Sequence, residues 1–124
     1  MGTKKVNVPA DKLELYRRLI ETTPGVAERS NFGSAYTAVN GNMYSMISKH
    51  GVVGIRLPEP ERGEFLAEHG TELFRGDPAW PPAKEFVTVP DTLLADTDAL
   101  RPYLERSYAY ALTLKPKTTK ARAT

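Results

Sequence analysis

The chain contains no cysteine. Disulfides, thiolate metal sites and cysteine nucleophiles are therefore excluded, and the composition suits a reducing compartment. Histidine is almost as scarce: His50 and His69 are the only two, and they are too far apart for a short-spaced metal motif such as i, i+4. No run of about 18 apolar residues exists, so no membrane span is expected. The start Met1-Gly2-Thr3-Lys4-Lys5 lacks the apolar segment of a secretory signal. Glycine-rich phosphate loops and strand–Ser–helix nucleophile elbows are missing as well. The expectation is a cytoplasmic, membrane-free protein with no catalytic, cofactor-binding or metal-binding residues.

Net charge is +2 across 124 residues, but its distribution matters more than its sum. Lys4 and Lys5 sit at the head, and Lys115, Lys117, Lys120 and Arg122 sit at the tail, which leaves residues 6–114 at −4. Basic ends on an acidic body read as solubilising segments rather than a nucleic-acid stripe. The expected organisation is a flexible start over 1–8, one domain over 9–114 and a basic flexible tail over 115–124. A domain of this size buries roughly two thirds of the surface its unfolded chain exposes. Nonspecific nucleic-acid binding through the tail is the weakest alternative function.

The segment 32–57 reads as three antiparallel strands. Asn40-Gly41 is a type I′ turn signal, because both central residues need positive φ, and it places Val39 opposite Asn42. A second two-residue turn at His50-Gly51 then places Met46 opposite Ile55 and Tyr44 opposite Leu57. Strand alternation sends Ala35, Thr37, Val39, Tyr44, Met46, Val53, Ile55 and Leu57 to a core face. The opposite face receives Tyr36, Ala38, Met43, Ser45, Ile47, Lys49, Val52, Gly54 and Arg56. Its apolar members Tyr36, Met43, Ile47 and Val52 form a candidate interface.

Helices frame this meander. Pro9 opens an amphipathic helix carrying Leu13, Tyr16, Leu19 and Ile20, and Thr23-Pro24-Gly25 ends it. Pro58-Glu59-Pro60 precedes a short acidic helix with Phe65 and Leu66 as anchors, His69 in its last turn and Gly70 as C′ residue. Lys84 to Val89 reads as a fourth strand, with Phe86 and Thr88 on one side and Val87 and Val89 on the other. Asp91 caps a single turn. A last helix from about Asp98 to Leu114 carries the stripe Leu100, Tyr103, Leu104, Tyr108, Ala111 and Leu112. The fold class is α+β, a single domain in the order α-β-β-β-α-β-α.

Between Phe74 and Lys84 lies a loop rich in proline and glycine that holds the sole tryptophan, Trp80. Trp80 is either a loop anchor packed on the domain edge or a stacking or lid residue over a ligand. With Arg56, Lys84 and one or more of the tyrosines it defines a candidate pocket, between the sheet, the last helix and this loop, for an anionic or polar molecule. Arg17-Arg18 and the cluster Glu59, Glu61, Glu64 and Glu68 read as solvated faces.

The run Ala35 to Tyr44, the stretch Ile55-Arg56-Leu57-Pro58 with its acidic helix, and Lys84-Glu85-Phe86-Val87-Thr88-Val89-Pro90 together resemble the TfoX/Sxy N-terminal domain-like family over residues 10–115. The resemblance implies a small bacterial α+β domain, here in a stand-alone form without the helical second domain that some members use in competence regulation. It carries over no catalytic residue. The functional expectation is a non-enzymatic interaction or regulatory module, with a homodimer as one form and a small-molecule binder or weak enzyme as the alternative.

Overall fold

The computed structural model describes residues 9–116 except positions 24, 27, 32, 33 and 78, and gives only the backbone of 30, 31 and 34. The segments 1–8 and 117–124, where the flexible head and most of the basic tail were expected, lie outside the described residues.

The elements run α1 (Ala10–Glu21), β1 (Arg29–Asn31), β2 (Ser34–Val39), β3 (Asn42–Ile47), β4 (Val53–Arg56), α2 (Glu61–His69), β5 (Phe86–Val89), α3 (Asp91–Leu94) and α4 (Thr97–Thr113). The strands form one antiparallel sheet in sequence order. The α+β class and the meander between terminal helices are as expected, and the three-residue edge strand β1 is an addition. Leu73 adds a bridge to Val87, so the far side of β5 is paired too.

Two irregularities set the register. Asn40 and Gly41 have φ of 54° and 78°, and Val39 stands opposite Asn42 in the two-residue turn that Asn-Gly predicts. Further along, Ala38 pairs with Met43 but Thr37 pairs with Ser45, which leaves Tyr44 without a partner. This is a β-bulge: one extra residue on β3 interrupts the alternation. The second turn departs from expectation. Gly51 N–H donates to Ser48 O, Ser48 N–H donates to Val52 O, and Gly51 has φ of 82°, so the loop has three residues, Lys49-His50-Gly51. A type I turn followed by a left-handed glycine is the usual form of such a loop.

The extra loop residue moves β4 by one position. Ser45 faces Ile55, Met46 faces Gly54 and Ile47 faces Val53. A one-residue slip exchanges the faces of a strand pair. Ser45 and Ile47 therefore point inward, fully buried, and Met46 points outward. The placement of Met46 in the core and of Ser45 and Ile47 on the outer face is corrected accordingly.

All four helices contribute to the core under the inner face. Tyr16, Leu19 and Ile20 of α1, Phe65 of α2, Leu93 and Leu94 of α3, and Leu100, Leu104 and Ala111 of α4 join Ala35, Tyr44, Ile47, Val53, Ile55, Val87 and Val89. Burying each large apolar side chain contributes about 1.5–3 kcal/mol, which makes this cluster the main source of stability. Leu112, expected on the buried stripe, is exposed, and Ser107 is buried in the helical face instead. Ser107 Oγ donates to Tyr44 O at 2.9 Å, satisfying a carbonyl beside the bulge. A hydroxyl chain also crosses the core: Tyr16 Oη lies 2.7 Å from Ser45 Oγ, which lies 2.6 Å from Thr37 Oγ1.

Candidate functional site

The outer face of the sheet is where the two candidate sites meet. Because Tyr44 and Ser45 both turn inward at the bulge, Met43 and Met46 both turn outward, although their spacing breaks strand alternation. Beside them the chain returns from α2 and lays Phe74 across the sheet. Phe74 N–H donates to Phe86 O at 2.9 Å, Thr88 N–H to Glu72 O at 2.9 Å, and Ala83 N–H to Phe74 O at 2.8 Å. These bonds close the segment 74–83 into a loop anchored on β5. Inside it, the Asp77 carboxylate accepts from Ala79 N–H and Asp77 O accepts from Trp80 N–H, a turn that sets the indole against Gly76.

Between this loop and the sheet, with no residue of α4 contributing, contrary to the sequence expectation, lies a pocket of about 190 Å³ lined by Met43, Met46, Phe74, Gly76, Trp80, Pro81, Ala83 and Phe86. No lining side chain is ionisable. Trp80 forms its wall while remaining 59% exposed.

Arg56 stands at the rim rather than within. Its Nη1 donates to Met43 O at 3.2 Å, its Nε donates to Glu85 Oε1 at 2.7 Å, and its guanidinium lies 5.8 Å from the Phe86 ring centre and 6.0 Å from that of Tyr110. The β3–β4 ladder stops at Ser45 and Ile55, so the Met43 carbonyl is free to take this bond. Glu85 also accepts from Tyr110 Oη at 3.1 Å, with Arg62 nearby at 3.9 Å. Burial opposes ionisation of Glu85, but the Arg56 and Tyr110 hydrogen bonds and the two guanidinium charges outweigh it and hold the carboxyl below its usual range. Burial and the same carboxylate push the Tyr110 hydroxyl up.

The predicted site residues thus divide. Met43 and Trp80, assigned to different sites from sequence, line one pocket. Arg56 borders it. Lys84 is exposed and next to the lining residue Ala83, but does not line the pocket. Tyr36 shares the outer face, opposite Met46. Val52 is at the hairpin end, bonded to Ser48. Ile47 is removed from the candidate interface, because the register shift buries it completely. Met46, Phe74 and Phe86 are pocket residues that the sequence did not single out, since the bulge and the long loop that gather them leave no local pattern.

Elsewhere, charged groups are largely matched to one another. Arg17 makes a two-pronged pair with Glu28 at 2.8 and 2.9 Å. An open groove at the start of α4 contains Arg18 and Arg101, each paired with a carboxylate of its own helix, Glu14 and Asp98. His69 Nε2 is 3.2 Å from Tyr103 Oη and belongs to an aromatic cluster with Phe65. Among the described residues no group of three His, Asp or Glu is placed to hold a metal, and no helix is long and apolar enough to cross a membrane. No family model matches the chain, and no curated protein does.

Proposed function

We propose that the protein is a non-enzymatic interaction module that receives a bulky apolar side chain of a protein partner in the Met43–Met46–Trp80–Phe86 pocket. The observation that carries this is a pocket walled entirely by apolar and aromatic groups on the sheet face that the helices leave uncovered. Methionines adapt to varied shapes, and tryptophan is enriched among residues that dominate interface energies. The volume of about 190 Å³ falls below the roughly 300–1,000 Å³ of drug-sized ligand sites, which favours a single anchoring side chain. No lining residue supplies a general acid, base or nucleophile.

The resemblance to TfoX/Sxy N-terminal domains agrees with this reading and suggests a bacterial, cytoplasmic regulatory domain. A homodimer is one form of the same proposal, with the outer faces of two copies in contact about a two-fold axis.

Peptide display against the full chain, run in parallel on Met46→Glu, tests the module. Selection of peptides that share a bulky apolar residue by the wild type, and their loss with the folded variant, is the expected result. Equal selection by both proteins would remove the pocket from the reading. A second reading, a small apolar ligand in the same pocket, rests on its apolar lining. It predicts thermal stabilisation by such a compound that Trp80→Ala abolishes.

A further inference from the structure

We infer that the partner segment is acidic, with carboxylates flanking its apolar anchor. This rests on the proposed interaction module and names the chemistry of its partner. Two guanidinium groups are held at the mouth of the pocket by main-chain carbonyls of lining residues: Arg56 donates to Met43 O, and Arg75 donates to Trp80 O. Fixing a cation in place before binding lowers the entropic cost of using it. Lys84, exposed and adjacent to Ala83, adds a third positive charge to the same loop.

These cations are incompletely matched. Glu85 is shared among Arg56, Arg62 and Tyr110. Asp77 accepts from the neutral Ala79 N–H and keeps its charge, and Glu72 pairs in register with Thr88, beyond Phe74 from the pocket. Among the described ion pairs, none involves Arg75 or Lys84. Counting Arg56, Arg75 and Lys84 against Glu85 and Asp77, the mouth carries one excess positive charge on a body whose net charge over residues 6–114 is −4, so an acidic segment is drawn to the mouth rather than to the rest of the surface. Guanidinium forks with donors to spare suit carboxylates, which accept bidentate bonds.

The sole tryptophan provides the readout, since Trp80 forms the pocket wall. The full chain is titrated with peptides of about ten residues, the scale of linear recognition segments, each with a central Phe flanked by Asp and Glu, by Ser and Gly, or by Lys. Trp80 emission reports pocket occupancy and peptide anisotropy reports total binding. The acidic peptide is expected to bind with a change in Trp80 emission. Affinity should fall roughly tenfold or more when its Phe is replaced by Ala, and roughly five- to tenfold in Arg75→Gln or on raising salt. Neutral or basic peptides that bind as tightly, with the same Trp80 response, would overturn the acidic partner and leave the interaction module standing. A concentration-dependent Trp80 shift without peptide would give the pocket to a second copy and equally overturn it. If no peptide binds and the chain stays monomeric, both inferences fall.

Discussion

Phe74 occupies the space that a side chain at Gly54 would fill: a β-carbon on Gly54 would stand 2.5 Å from Phe74 Cγ. Phe74 is itself almost completely buried by this fit. The bare backbone at Gly54 lets the 74–83 loop lie against the sheet, and the loop in turn builds the wall of the pocket.

Gly54→Ala should therefore displace Phe74. Overpacking of this kind costs about 1–3 kcal/mol, and Phe74→Ala, which empties the seat, costs about 3–5 kcal/mol. Urea unfolding measures both. Gly54→Ala should also change Trp80 emission in the folded state, because the loop moves with Phe74. Unchanged stability and emission would show that the ring does not need the glycine.

Deleting His50 tests the register. The deletion converts the three-residue loop to a two-residue one and turns Val53 and Ile55 from the core to the outer face. Loss of a cooperative thermal transition is expected. A second deletion at an exposed site of the 75–82 loop serves as the comparison and should keep the transition.

Acid stability should depend on Glu85. Its folded-state carboxyl is held below the ordinary value, so it contributes stability above the unfolded value of about 4.3, and that contribution is lost as pH falls through the lowered folded value. Glu61 adds in the same direction, its carboxyl lowered by the hydrogen bond from Arg106. Urea midpoints measured from neutral pH downward should fall for the wild type and fall less steeply for Glu85→Gln, with the curves converging at low pH. Parallel curves would mean that the Arg56–Glu85 pair contributes nothing to the titration.

Ser45 is the middle of the buried hydroxyl chain. Ser45→Ala strips both Tyr16 and Thr37 of a partner and should cost about 1–3 kcal/mol, whereas Tyr16→Phe leaves the Ser45–Thr37 bond intact and should cost about 0.5–1.5 kcal/mol. Burial pushes the Tyr16 hydroxyl well above the normal tyrosine value, so the fold favours its neutral form. That stabilisation is present below pH of about 10 and is lost as pH rises beyond it. Spectrophotometric titration of the six tyrosines should show a late step that coincides with unfolding.

Several features are written locally and were legible without coordinates. Asn40-Gly41 carries its turn type because positive φ is a property of those two residues. The stripe Leu13-Tyr16-Leu19-Ile20 carries α1, Gly70 with φ of 59° carries the end of α2, and Val87 and Val89 carry the inner face of β5. Each depends on neighbours within a few positions along the chain.

The candidate site depends on contacts that the chain makes with distant parts of itself. Tyr44 leaves the ladder because burying its ring against Tyr108, 5.4 Å between centres, and bonding its carbonyl to Ser107 outweighs one lost strand pairing. That bulge and the three-residue loop decide which of Met43, Met46, Ser45 and Ile47 meet solvent. The sequence by itself determined the helices, the strands β2 to β5, the first turn and the apolar character of the chain. Only the tertiary structure decided which face each side chain occupies and that Met43 and Trp80 share one pocket, because register is a balance among long-range packing energies and no short stretch contains it.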